Sequence, residues 1–127
     1  MEIINPNELI RRIQGGERMF VGIEFPEDES LEDFILTGCQ FFNCLISYMD
    51  FSKSRLNNAV FKDCNLKGSK FDGADLSNAL IENCAVEATT FKDAQLTDFK
   101  FRENYYYGLT LNQDDLNEDF GVIPNKP

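Results

Sequence analysis

Large apolar residues recur along this chain with a strict period of five. Every fifth residue from Leu31 to Leu116 is leucine, isoleucine, valine, phenylalanine or tyrosine. A helix repeats its apolar face about every 3.6 residues and a strand every second residue, so neither produces a sustained period of five. The period therefore predicts a structural unit of five residues that is repeated along the chain.

Two further positions in each unit follow the same period. The residue two places before each apolar centre, from Cys39 to Ala94, is nearly always small. The residue two places after each centre, from Gly38 to Gly108, is mostly Gly, Asn or Asp, which tolerate positive φ and form turns. Each unit is thus expected to be a short extended side with one large and one small residue pointing inward, followed by a corner.

Four such sides close a square, so residues twenty positions apart stack on successive rungs about 4.8 Å apart. Stacking at this spacing produces columns of similar residues. Examples are Leu36, Leu56, Leu76, Leu96 and Leu116 on one side, and Phe51, Phe71 and Phe91 on another. The predicted fold class is an all-β solenoid with inward centres from Leu31 to Leu111.

The segments FDGADLSNAL and FKDCNLKGSKF resemble the pentapeptide-repeat family, whose consensus is A(D/N)LXX, and the resemblance extends over residues 31–113. It implies a right-handed quadrilateral β-helix. The segment ELIRRIQGGERMF is similar to the helix and GxRxF sequence that begin many short bacterial members. By this resemblance Phe20 and Phe25 start the first coil, and Pro26–Ser30 contains a one-residue bulge.

The ends of a solenoid need caps, because the terminal coils expose core and unpaired backbone. We expect a capping helix within residues 4–16, with Asn5 as N-cap, Pro6 at its first position and Glu8 completing a capping box. Leu9, Ile10 and Ile13 would face the first coil. The predicted division is a capping helix and lead-in over 1–19, a β-helix over 20–113, and a C-terminal cap and tail over 114–127.

Larger residues replace the small inward ones near the other end, at Phe99, Asn104 and Leu109. We expect them to plug the last coil. A short helix is expected over Gln113–Phe120, with Leu116 and Phe120 facing inward.

Charge limits the classes of partner. The chain of 127 residues has 22 acids against 12 bases and a net charge of −10. This excess repels nucleic-acid phosphates and anionic lipid, so we expect no direct nucleic-acid or membrane partner. The first residues lack the basic start and apolar stretch of a signal peptide, which favours a cytoplasmic protein.

Catalytic chemistry finds little support. The chain contains no histidine, so Ser–His and Cys–His arrangements cannot form. P-loop, GxGxxG and EF-hand patterns are absent from the sequence, and we expect neither enzyme activity nor a cofactor. Cys39, Cys44, Cys64 and Cys84 form no CxxC pair and are expected to be free thiols in small inward slots, although a disulfide or a metal site within the Cys44, Cys64 and Cys84 column is an alternative.

Outward-pointing apolar residues mark a candidate protein-contact surface on two adjacent sides whose charges nearly cancel. On one side lie Phe42, Val60 and Leu80, and on the next lie Leu45, Tyr48, Tyr105 and Tyr107. The alternative is that these are ordinary surface residues, with the tyrosines covering the last coil.

These features favour a non-catalytic interaction or scaffold module with an unidentified protein partner, either as a monomer or as an end-to-end dimer. The family resemblance raises a second hypothesis, a DNA mimic that modulates a type II topoisomerase such as gyrase. However, the acids gather at the two ends, in residues 24–33 and 114–119, rather than along a side. A third hypothesis is a folded repeat protein with no specific partner.

Overall fold

The computed structural model describes residues 1–117 and 121–122. They form a right-handed, four-sided β-solenoid of about five turns with one short N-terminal helix, which confirms the predicted fold class. In chain order the elements are β1 (Glu2–Ile3), α1 (Pro6–Gln14), β2 (Met19–Val21), β3 (Ile23–Glu24), β4 (Gln40–Phe42), β5 (Val60–Lys62), β6 (Leu80–Glu82), β7 (Lys100–Arg102), β8 (Asn104–Tyr106), β9 (Leu109–Leu111), a 3-10 turn (Gln113–Asp115), β10 (Leu116–Asn117) and β11 (Gly121–Val122).

One side of the square is a parallel five-stranded sheet in the order β2-β4-β5-β6-β7. Within it Phe61 pairs with Phe41 on one neighbouring strand and with Ile81 on the other, a spacing of twenty residues. The other three sides are held by isolated parallel bridges, most of them at the same spacing, such as that between Leu45 and Asn65.

The first turn of the solenoid contains one extra residue. Phe20 pairs with Phe41, twenty-one positions away, whereas the bridge from Ser30 to Asp50 spans twenty. Because the bridge from Glu24 also spans twenty-one positions, the extra residue lies between Glu24 and Ser30. The predicted one-residue bulge is therefore confirmed.

The corners adopt the left-handed conformation that the Gly, Asn and Asp positions predicted. Every fifth residue from Asp33 to Gly108 has a positive φ. At most corners outside the sheet, the N–H of the residue after the corner closes a turn onto the carbonyl of the preceding centre, as Ala74 does to Phe71 at 3.0 Å. Four corners carry other residue types, namely Tyr48, Lys53, Ala88 and Glu103.

Stacked aromatic rings fill the middle of the solenoid. The Phe71 ring lies nearly parallel to those of Phe51 and Phe91, with centroids 4.9 and 5.4 Å away. Phe61, from the neighbouring side, meets Phe51 and Phe71 edge-on at 5.7 Å. The small inward slots from Cys39 to Ala94 are all buried, so the inward register is as predicted.

The N-terminal helix caps the first coil. The Asn5 side chain accepts a hydrogen bond from the Glu8 N–H at 2.9 Å, Leu9 is fully buried, and Ile10 and Ile13 pack against the core. The capping box is only half formed, because the Glu8 carboxylate binds Arg11 and Arg12 instead of the Asn5 backbone. The parallel pairing of β1 with β3 was not predicted.

At the other end the coil stops one side earlier than the period of five suggests. β8 and β9 pair as an antiparallel hairpin, and the two loop residues, Tyr107 and Gly108, both have positive φ, as a tight hairpin turn requires. The reversal leaves Leu109 49% exposed, so its predicted inward position is wrong. Phe99 and Asn104 are buried as expected.

The predicted helix over residues 113–120 is wrong at Leu116 and Asn117, and residues 118–120 lie outside the described residues. A single 3-10 turn is followed by β10, which pairs antiparallel with β11. Leu116 packs partly buried against the core as expected, while Phe120 lies outside the described residues. The side chains of Gln113 and Asn112 accept hydrogen bonds from the N–H groups of Phe101 and Glu103, at 2.8 and 3.0 Å.

Candidate protein-contact surface

The five-stranded sheet brings three of the predicted contact residues together on its outer face. Val60 pairs directly with Leu80, and Phe42 lies diagonally across from Val60 on the neighbouring strand. All three side chains are half-buried. Because alternate residues of a strand point to the same face, these side chains form one apolar strip.

Two further residues extend this strip beyond the sequence prediction. Met19 and Val21 point outward from β2 and are 58% and 62% exposed, and Val21 pairs with Phe42. They were missed because they precede the bulge and lie one residue out of the later register. The alternation of outward Met19, inward Phe20 and outward Val21 was the signal that could have revealed them.

Two ion pairs lie beside the strip on this face. Glu82 lies between two bases on adjacent strands, with its carboxylate oxygens 3.5 Å from Lys62 Nζ and 2.6 Å from Arg102 Nε. The bases are about half exposed, so each pair contributes at most about 1 kcal/mol to stability. One acid between two bases, with Lys100 paired to Leu80, leaves this face with a small excess of positive charge.

The next side of the square carries a more scattered set. Leu45 and Tyr105 lie in one row of the register but are separated by Asn65 and Ala85, so their side chains do not form a continuous patch. The Tyr105 hydroxyl donates a hydrogen bond to the Asn83 side chain, which holds the ring against the corner between the two sides.

Tyr48 and Tyr107 do not join the strip. Tyr48 occupies a corner away from the sheet, where its ring lies over Gly68 beside a depression of about 250 Å³. Tyr107 lies in the loop of the β8–β9 hairpin and is 70% exposed. The seven predicted residues therefore divide into a contiguous group of three on the sheet and four dispersed side chains.

All four cysteines are buried free thiols, as expected. The Cys64 thiol donates to the carbonyl of Phe41 at 3.3 Å. Asn104 fills the same slot two rungs further along, where its Nδ2 donates to Ile81 O at 3.0 Å. Burial raises the pKa of Cys39 to about 11, and the hydrogen bond with Cys64, together with burial, raises the pKa of Cys44. The raised pKa values keep Cys39 and Cys44 protonated at neutral pH, and all four side chains fill small inward slots of the core.

Metal-ligating clusters and membrane-spanning helices are both absent from the part of the chain that the structure describes. No group of three acidic or cysteine side chains there is arranged to hold a metal ion. None of the helices over the same residues has the length and apolar character needed to cross a bilayer.

A square β-helix with large and small inward residues alternating around left-handed corners defines the pentapeptide-repeat class of solenoids. The pentapeptide repeat region family matches residues 34–111, and the chain belongs to this family. None of the curated protein sequences is significantly similar to it.

Solved structures with the same fold come from varied sources. Rfr23, a pentapeptide repeat protein of the cyanobacterium Cyanothece 51142, is 17% identical with a TM-score of 0.65, over 74% of this chain and 64% of that one. A pentapeptide repeat protein of the Arabidopsis thaliana thylakoid lumen is 17% identical with a TM-score of 0.64, over 76% and 67% of the two chains. QnrB1, a plasmid-mediated fluoroquinolone resistance protein, is 19% identical with a TM-score of 0.51, over 76% and 58%. At these identities the likeness concerns the fold.

Proposed function

We propose that this protein is a non-catalytic interaction module and that a protein partner docks on the outer face of its five-stranded sheet. The observation that supports this proposal is the apolar strip formed by Met19, Val21, Phe42, Val60 and Leu80. Outward positions of a solenoid take no part in core packing, so polar residues would serve the fold equally well there. A contiguous apolar strip on such positions is typical of an interface.

The strip has the properties of an interface centre. Its side chains stand on hydrogen-bonded strands, so little backbone conformational entropy is lost when a partner binds. The ion-paired Lys62, Glu82 and Arg102 flank it as a polar rim. A partner with an apolar patch and few charges at its centre would fit this arrangement.

A non-catalytic role also agrees with the chemistry of the chain. Its four thiols are buried, and it contains no histidine. The charge pattern argues against DNA mimicry, since Lys62 and Arg102 neutralise the acid on the sheet face, whereas duplex DNA carries one negative charge per about 1.7 Å.

The test is an affinity capture from the native organism with a triple variant, Phe42→Ser, Val60→Ser and Leu80→Ser, as bait beside wild type. A control variant, Ile35→Ser with Leu45→Ser, removes exposed apolar residues from other sides. We expect partners held by wild type and the control to be lost by the triple variant, after circular dichroism shows that all baits are folded.

Retention of every wild-type partner by the triple variant would place the interface elsewhere. A gyrase supercoiling assay distinguishes this proposal from the alternative of a DNA mimic. A DNA mimic would alter supercoiling by gyrase, and the triple variant would retain that effect.

A further inference from the structure

The two edges of the five-stranded sheet differ in whether their outward backbone groups are hydrogen-bonded. At the C-terminal edge, the N–H groups of Phe101 and Glu103 that point away from the sheet bond to the side chains of Gln113 and Asn112. These side chains replace the strand that would otherwise follow β7. The N-terminal edge, formed by β2, has no equivalent among the described residues.

The hydrogen-bond pattern shows which groups of β2 are free. The Arg18 carbonyl accepts from Gln40 N at 2.7 Å, and Gly22 N donates to the Phe42 carbonyl at 3.0 Å. Since successive residues of a parallel strand direct their N–H and C=O groups to opposite edges, those of Phe20 face β4 and those of Met19 and Val21 face outward. No hydrogen bond within the described part of the chain uses these four outward groups.

The free edge is flanked by exposed apolar side chains. Met19 and Val21 lie beside it, and Ile3 of β1, which is 66% exposed, lies on the neighbouring side of the square. β1 pairs with β3 on that neighbouring side and does not pair with β2. The outward edge of β2 therefore offers two backbone donors, two acceptors and exposed apolar side chains.

We propose that the edge of β2 is a binding site for an extended peptide segment of a partner protein, which adds to the sheet as a sixth strand. Unpaired backbone groups in an extended row are complementary to another extended backbone. Apolar residues at alternate positions of the peptide would lie beside Met19 and Val21 and lengthen the strip on the sheet face. A second copy of the chain fits less well, because α1 packs over the same end and its diameter of about 10 Å exceeds the strand spacing.

This site shares Met19 and Val21 with the apolar strip of the proposed function, but it depends on the backbone groups of β2 rather than on the side chains of Phe42, Val60 and Leu80. Proline at position 21 tests it directly. Proline removes the outward N–H of Val21 without removing a bond of the β2–β4 ladder, as it does on natural edge strands. Val21→Thr is the matched control, because it retains the N–H and the branched shape.

The probe is a library of random linear peptides displayed on phage and selected against the immobilised full chain. We expect the enriched peptides to alternate apolar and other residues. We also expect Val21→Pro to lower the affinity for the enriched peptides, made by synthesis, at least tenfold, which corresponds to about 1.4 kcal/mol of binding free energy. Val21→Thr, and the triple variant of the sheet face, should retain binding.

Amide hydrogen exchange supplies a readout that needs no variant. In the free protein the amides of Met19 and Val21 should exchange fast, while those of Phe101 and Glu103 are protected. Bound peptide should slow the exchange of the Met19 and Val21 amides. Failure to enrich any peptide, equal binding to Val21→Pro, or protected Met19 and Val21 amides in the free protein would each overturn the proposal. None of these outcomes would bear on docking at the sheet face.

Discussion

At the scale of single residues, the corners couple each rung to the next. A corner side chain lies over the corner twenty positions further along the chain, so its size restricts what that position can hold. Gly68 shows this most clearly, because a Cβ there would overlap the Tyr48 ring, whereas a Cβ at Gly38 would meet open space. Both glycines have φ near +70°, so they differ in neighbours rather than in backbone.

We expect Gly38→Ala to cost about 1–2 kcal/mol, the penalty of a left-handed conformation. Gly68→Ala should cost a further 1–3 kcal/mol or so, because the new methyl group must displace the Tyr48 ring. Urea denaturation of both variants, in wild-type and Tyr48→Ala backgrounds, measures the coupling. Equal costs for the two glycines in wild type would show that the ring yields freely.

At the scale of elements, α1 is held by an ion network as well as by its apolar face. Glu8 pairs with Arg11 and Arg12, and Arg12 reaches Glu2 on β1. Hydrogen bonds from Arg11 and then Arg12 lower the pKa of Glu8 from 4.5 to about 2, and Arg12 lowers the pKa of Glu2. The network therefore ties the helix to the strand above the first coil.

Acid should loosen this cap before it unfolds the coils. Since the folded pKa of Glu8 lies below its unfolded value, the stabilisation is present above pH 4.5 and is lost as the pH falls towards 2. Amide exchange across α1, followed from pH 5 to 2, should show faster opening than in the sheet. Glu8→Gln should make α1 less stable at pH 5 and remove most of the pH dependence, whereas Glu32→Gln, on an exposed loop, should leave both unchanged.

The elements also show what the sequence could predict. The N-terminal helix follows from local capping by Asn5 and Pro6, which sequence displays directly. The hairpin at Tyr107–Gly108 does not, because Leu111 is buried whether the chain continues the coil or reverses, so the period of five persists through either structure. The apolar strip was only partly predictable, since Met19 and Val21 lie before a bulge that shifts their register.

The side-chain caps at the C-terminal edge lead to a further prediction. Replacing Asn112 and Gln113 by alanine should free the N–H groups of Phe101 and Glu103 and allow β7 to pair with another chain. Sedimentation at rising concentration should show self-association of this variant. The control variant, Asn57→Ala with Gln95→Ala, removes two side-chain amides that lie away from this edge and should sediment as wild type does. Whether the wild type is a monomer or an end-to-end dimer stays a prediction.

If the capless variant sediments as wild type while its Phe101 and Glu103 amides exchange fast, the free edge alone does not drive association.

At the scale of the whole molecule, the twenty-residue register makes the length of the solenoid adjustable only in whole rungs. Deleting residues 71–90 joins Lys70 to Phe91, which then takes the place of Phe71 and returns every later residue to its column. Deleting residues 71–85 places Val86 there instead and moves every later residue by one side.

We expect the twenty-residue deletion to unfold cooperatively, with a lower free energy of unfolding because one rung is lost, and the fifteen-residue deletion to lose cooperative unfolding. Thermal and urea denaturation followed by circular dichroism make the comparison. Similar behaviour of the two deletions would mean that the inward columns are interchangeable and that register contributes little.

Each five-residue unit has inward, corner and outward positions, so the residues that determine the fold are different from those available for binding. Inward and corner positions need only residues of the right class, large, small or turn-forming, so chains as little as 17% identical can have one fold. Overall sequence similarity between members of the family therefore mostly reflects the residues that the coil requires. Only the two positions flanking each centre, such as Gln40 and Phe42 around Phe41, are free to diverge with the partner. Lineages of this family sorted by those two positions alone should group by what they bind, even where trees built on whole sequences do not.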